Sequence, residues 1–133
     1  MRGKVEMAYR HFTEMPVWQQ GHETVSLVYR LISTFPGSER YALTSQMRRA
    51  AVSVTSNIAE AFGRKTSGDK ARFYLMARGS RFEVQSQSHV ARDVGYLAPE
   101  SFDKLNQHLG QIIHDLNKII KTLNSRSEPE PWP

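Results

Sequence analysis

The stretch RYALTSQMRRAAVSVTSNIAEAFGRKT, Arg40 to Thr66, decides how the chain folds. Leu43, Met47, Ala50, Val54, Ile58 and Ala61 recur at intervals of three and four, which places them on one face of an α-helix. The other faces carry Arg48, Arg49 and a run of Ser, Thr and Asn, and the helix leaves through a basic turn at Arg64 and Lys65. A Phe-Pro-Gly-Ser turn at 35–38 precedes it, with Ser38 the expected N-cap.

The same periodicity appears three more times. Phe102, Leu105, Leu109, Ile112, Leu116, Ile119 and Leu123 form the cleanest seam, broadened by Ile113 and Ile120. That helix is expected to begin near Pro99, where proline suits a first turn, and to end at Asn124-Ser125. Another runs from Ser67, a second expected cap, to Val94, with Phe73, Ala77, Ser80, Val84, Gln87, Ala91 and Val94 inward and Gly95 as its left-handed terminator. The first spans Pro16 to Phe35 through Trp18, Val25, Val28 and Ile32. No stretch alternates with period two between hairpin turns, so strands are not needed.

Four such helices joined by short turns predict an all-α, antiparallel up-down-up-down four-helix bundle. At 133 residues one domain is expected, over 14–124, with flexible tails at 1–13 and 125–133; the last is Pro-rich.

Composition narrows the function. There is no cysteine, which removes disulfides, thiolate nucleophiles and Cys-based metal sites. Met1 to Glu6 carry positive charge with no apolar run behind it, and no stretch approaches the roughly 18 apolar residues of a membrane span, so a soluble, cytoplasmic protein is expected. The five histidines form no i, i+4 pair, and no Glu is followed by His three positions on, so neither a zinc nor a di-iron site is expected. Ser67-Gly68-Asp69-Lys70 and Ser101-Phe102-Asp103-Lys104 match Ser-x-x-Lys, yet both fall at helix starts, where Ser and Asp serve as caps. Gly63 to Gly68 lacks the spacing of a phosphate-binding loop. The expectation is no catalytic residue, no metal and no cofactor.

Charge points elsewhere. Between Arg40 and Arg92 ten Lys or Arg face only Glu60, Asp69 and Glu83, a local balance of +7 in a chain of formal charge +5. A basic centre favours polyanionic partners, nucleic acid first, and Arg48, Arg49, Arg64, Lys65, Lys70 and Arg72 are the candidate phosphate contacts. A solvated, arginine-rich surface is the competing account.

On a helical wheel Leu75, Phe82 and His89 lie opposite the core seam of the third helix and are the candidate oligomer interface, against the alternative of scattered exposed apolar residues. A polar stripe of Arg78, Arg81, Gln85, Ser88 and Arg92 is expected beside that line. On the second helix Gln46, Arg49, Ser53, Asn57, Glu60 and Arg64 either dock on a neighbouring helix or are solvated.

The segment from Phe35 to Arg64 resembles the signature of the bacterial four-helix bundle family of rRNA intervening-sequence proteins, whose fold is shared by the accessory variability proteins of diversity-generating retroelements. Phe12-x-x-Met15-x-Val17-Trp18-Gln19, Ala77-Arg78-Gly79-Ser80-x-x-Glu83 and Gly95-Tyr96-Leu97 extend the resemblance over residues 12 to about 123. Arg48 and Arg49 match paired basic positions, and Ser56, Asn57 and Glu60 match a Ser-Asn-Ile-Ala-Glu core. Thr55 replaces a usual Pro, Ala61 a usual Gly, and Arg81 stands where the family is usually apolar. The resemblance implies a homo-oligomeric ring, commonly a pentamer, without known catalysis, and nucleic acid or, in the retroelement branch, a reverse transcriptase as partner.

Overall fold

The structure is a computed structural model describing residues 6 and 8–127. Four helices account for most of it: α1 (Pro16–Ile32), α2 (Leu43–Gly63), α3 (Ser67–Asp93) and α4 (Pro99–Ser127), with 3-10 turns at Phe12–Glu14 and Gly37–Glu39 and no strand among the described residues. Each helix packs on the next, and α4 closes back on α1. Contacts across α3 and α4 run in opposite directions along the two helices: Arg78 meets Asn117, Arg81 meets Leu109 and Gln85 meets Asn106. The bundle is therefore antiparallel there, and the short connections reverse the chain at the other corners as well.

The α4 seam is buried throughout, from Phe102 to Leu123, joined by Ile120, while Ile113 is half-buried. Met47, Ala50, Val54, Ile58 and Ala61 of α2 and Val28 and Ile32 of α1 are buried in the same core. Trp18 and Val25 flank that core, and Val17, Gly21, Thr24 and Leu27 complete the inner face of α1. At Gly21 the helices approach so closely that a Cβ would come within 3.0 Å of the Thr55 methyl group. Ala61, where the resemblance has a usual glycine, is fully buried.

Helix ends depart from the sequence reading in informative ways. Ser38 does not cap α2: the chain makes a 3-10 turn first, and the helix starts at Leu43, whose N–H donates to Glu39 Oε1 at 3.4 Å. The other Glu39 oxygen accepts from the Tyr96 hydroxyl at 3.0 Å, tying this turn to the α3–α4 connection. Thr66, one residue before the expected Ser67, caps α3 by accepting the Asp69 N–H at 3.1 Å. Gly95 does terminate α3, at φ 86°, with Tyr96 N–H donating to Ala91 O at 2.8 Å and Gly95 N–H to Arg92 O at 3.0 Å, the paired bonds of a Schellman motif. α1 stops at Ile32, three residues early, and α4 runs past Asn124-Ser125 to Ser127.

The expected tails also carry structure. Glu6 is buried, Tyr9 packs against the core, and Glu14 Oε1 accepts the N–H groups of Arg10 and His11 at 2.6 and 3.1 Å. Residues 128–133, including Trp132, lie outside the described residues.

Candidate nucleic-acid interface

The six candidate basic residues divide into two patches. Arg49 on α2 and Arg64, the residue just past its end, are fifteen positions apart, so about 22 Å separates the first patch from the second at 1.5 Å per residue. A duplex places a phosphate about every 3.4 Å along each strand, so the patches stand about six or seven phosphates apart.

In the first patch Arg48 is half-buried and Arg49 exposed, and both line a shallow depression with Tyr29, Val52, Ser53 and Ser56. Arg49 also borders a groove between α2 and α3 lined by Gln46, Ser53, Glu83 and Gln87. Among the described residues neither arginine has a carboxylate within salt-bridge distance, and the same holds for the exposed Lys65 of the second patch.

The remaining three are engaged within the protomer. Arg64 lies 3.6 Å from Glu60 and 3.9 Å from Asp69, with its guanidinium 4.4 Å from the Phe73 ring centre. Arg72 reaches Asp69 at 3.3 Å and covers the same ring from 4.5 Å. Lys70 Nζ sits 2.7 Å from a Glu6 oxygen and donates to the carbonyls of Phe62 and Ala61 at 2.8 and 3.3 Å, closing the C-terminus of α2. The second Glu6 oxygen accepts a short hydrogen bond from the Tyr74 hydroxyl. Burial, then the Glu6 hydrogen bond and charge, push the Tyr74 phenol well above its ordinary range.

The outer face of α3 is apolar as expected. Leu75 is 41% and Phe82 52% exposed, and Met76, Val90 and Val94 extend the patch. His89 is exposed but turns towards α4, its ring edge-on to Phe102 at 4.9 Å. Val94, expected inside, is 55% exposed because α3 has already ended. Gln87 is only half-buried, and Tyr74, Arg81 and Ser88 fill the inner face instead.

The polar stripe of α3 runs along α4: Arg81 is 4% exposed and Ser88 wholly buried, whereas Arg92 at its end stays exposed. Arg81 Nε donates to Leu109 O at 2.9 Å and a terminal nitrogen to Gln85 Oε1 at 2.6 Å. Gln85 passes the network to Asn106, which donates to Ser88 Oγ at 3.3 Å. Burial lowers the Arg81 pKa, since no carboxylate among the described residues offsets the loss of water. The α2 stripe resolves in the same direction: Ser53 and Ser80 hydroxyls meet at 2.8 Å, and Asn57 donates to Ser53 O and Oγ at 2.9 and 3.0 Å, so its centre docks on α3.

Of the two features not foreseen, only one had a signal in the sequence. The anomaly of an Arg at 81 marked a site of special packing. Glu6 gave no sign, since its partners are 64 and 68 positions away.

The described residues form an all-helical, four-helix bundle in a chain without cysteine. Residues 13–118 match the 23S rRNA-intervening sequence proteins, and the chain belongs to that family. Its fold is similar to the crystal structure of a protein of unknown function from the S23 ribosomal protein family of Bacteroides thetaiotaomicron, with TM-score 0.74 and 20% identity over 79% of this chain and 98% of that one. No curated protein sequence matches the chain. Among the described residues no helix is long and apolar enough to cross a membrane.

Proposed function

We propose that the protein is a non-enzymatic, cytoplasmic bundle that assembles into a homo-oligomer and binds nucleic acid largely without regard to sequence. The observation that carries this reading is the set of uncompensated cations on α2 and its exit turn, Arg48, Arg49 and Lys65. Cations held without carboxylate partners release the counterions of a phosphate backbone on contact, and this drives binding with no need for base contacts. The family name ties its members to intervening sequences of 23S rRNA, which makes RNA the first ligand to test. Assembly through the apolar face of α3 repeats the patches around the oligomer, so that contacts too weak singly act together.

The test is fluorescence anisotropy of a short labelled RNA and a matched DNA over a salt series. Arg48→Ala with Arg49→Ala should weaken binding to every sequence and reduce the salt slope by about 1 to 2. Absence of binding by the native protein at low salt overturns the reading. The exposed α3 face then becomes the surface on which to seek a protein partner, such as a reverse transcriptase.

A further inference from the structure

The Glu6 carboxylate occupies a built site. Tyr74, whose hydroxyl donates to it, is fully buried, and the Lys70 ammonium lies 2.7 Å away with most of its side chain covered. Glu6 itself is 7% exposed, although it stands ten residues before the first bundle helix. Burying a carboxylate is costly unless its lone pairs are met, and here a cation and a phenol meet them. The site also lies against the basic exit turn. Lys70 closes the end of α2 two residues before Arg64, whose buried Nε has no partner among the described residues.

A carboxylate and a phosphate oxygen make the same demands of an ammonium and a hydroxyl, and each is recognised by charge-assisted hydrogen bonds. We infer that Glu6 is an intramolecular competitor for nucleic-acid phosphate: it holds Lys70 out of the basic surface, and a backbone phosphate can displace it. This rests on the nucleic-acid reading above and adds regulation to it. The protein then has a resting state, in which α2 offers Arg48, Arg49 and Lys65, and an engaged state in which Lys70 joins them. The switch is a single ion pair between the N-terminal segment and α3.

The experiment compares the native chain with Glu6→Gln, which keeps an acceptor for Tyr74 but removes the charge that holds Lys70. Binding of labelled RNA at about 0.1 M salt should tighten about five- to tenfold, and the salt slope should steepen by about 1, the signature of one more phosphate contact. Adding Lys70→Gln to that variant should return both to native values. Glu23→Gln, the same charge change at an exposed site on α1, should alter affinity less than about twofold.

Binding by native protein and Glu6→Gln with equal affinity and slope overturns the competitor while leaving the nucleic-acid reading intact. An equal rise in Glu6→Gln and Glu23→Gln also overturns it, since bulk charge then explains the gain. No binding by either native or Glu6→Gln protein removes both proposals. Binding by Glu6→Gln alone overturns the resting state described here, in which Arg48, Arg49 and Lys65 already engage phosphate. If Glu6→Gln loses its helical circular dichroism, Tyr74→Phe, which removes the other hold on the carboxylate, is read in the same way, and unchanged affinity there overturns the inference.

Discussion

Arg81 on α3 donates from Nε to the main-chain oxygen of Leu109 on α4 across 2.9 Å, inside a protomer where it is 4% exposed. A guanidinium in this position has lost most of its water without gaining a carboxylate among the described residues. Replacing a buried charge with a well-packed apolar group of similar length is often stabilising by about 1 to 4 kcal/mol, whereas shortening it leaves a hole. Arg81→Met should therefore raise the unfolding free energy by about 1 kcal/mol, and Arg81→Ala should lower it by about 2 kcal/mol. Urea unfolding followed by circular dichroism checks both. A loss in Arg81→Met equal to that in Arg81→Ala would show that the hydrogen bonds to Leu109 and Gln85 outweigh desolvation.

Gly79 sits in the middle of α3 with nothing within 4 Å of where a Cβ would lie. Glycine there weakens the helix by about 1 kcal/mol relative to alanine, and no contact inside the protomer accounts for it. It lies between Leu75 and Phe82 on the exposed outer face, where, in the proposed oligomer, a missing side chain would let a second helix come close. In a monomeric background Gly79→Ala should raise stability by about 1 kcal/mol. In the otherwise native chain it should weaken assembly, read by light scattering on dilution. Unchanged assembly would remove the close helix approach from the interface.

Phe82→Glu supplies that monomeric background. At 52% exposure the phenyl ring contributes little to its own bundle, so folding should change by less than about 0.5 kcal/mol, while a charge set in a subunit contact should reduce the scattering mass to that of one protomer. A folded variant with the native mass would assign the oligomer, if one forms, to another surface.

What the sequence disclosed depended on how local the determinant was. The α4 seam and Gly95 are legible because their causes lie within a few residues: a repeat of three and four, and a left-handed position that only glycine fills easily. The start of α2 was misplaced because Glu39, not Ser38, meets the first free N–H, and Glu39 is itself held by Tyr96, 57 positions on. The sequence of α3 alone places Arg81 and Ser88 on a polar stripe beside the outer apolar line and gives no sign of what covers it. The two residues become interior because α3 is gripped on two sides, by α2 through Ser80 and by α4 through Arg81 and Gln85. The basic candidates were likewise visible by type. Which were already engaged was not, since Lys70 is decided by an acid in the N-terminal segment.

Alkaline pH should expose the Tyr74 contact. Its folded pKa is raised above the ordinary value of 10.0, first by burial and then by the Glu6 hydrogen bond and charge. Below about pH 10 the phenol keeps its proton in both the folded and the unfolded chain, and the contribution is fully present. Above that value the unfolded chain releases the proton while the folded chain retains it, so stability falls by about 1.4 kcal/mol per pH unit and is lost as pH rises towards the folded value. Tyr96, raised chiefly by its hydrogen bond to Glu39, acts in the same direction, so Tyr96→Phe serves as the comparison. Tyr74→Phe should cost about 1 to 2 kcal/mol at pH 8, where it strips Glu6 of a donor, and should flatten the decline between about pH 10 and 12. The check is urea unfolding at several pH values for the native chain and the two variants. An undiminished slope in Tyr74→Phe would mean that the hydroxyl is not buried against Glu6 in solution, and the N-terminal contact with α3 would fall with it.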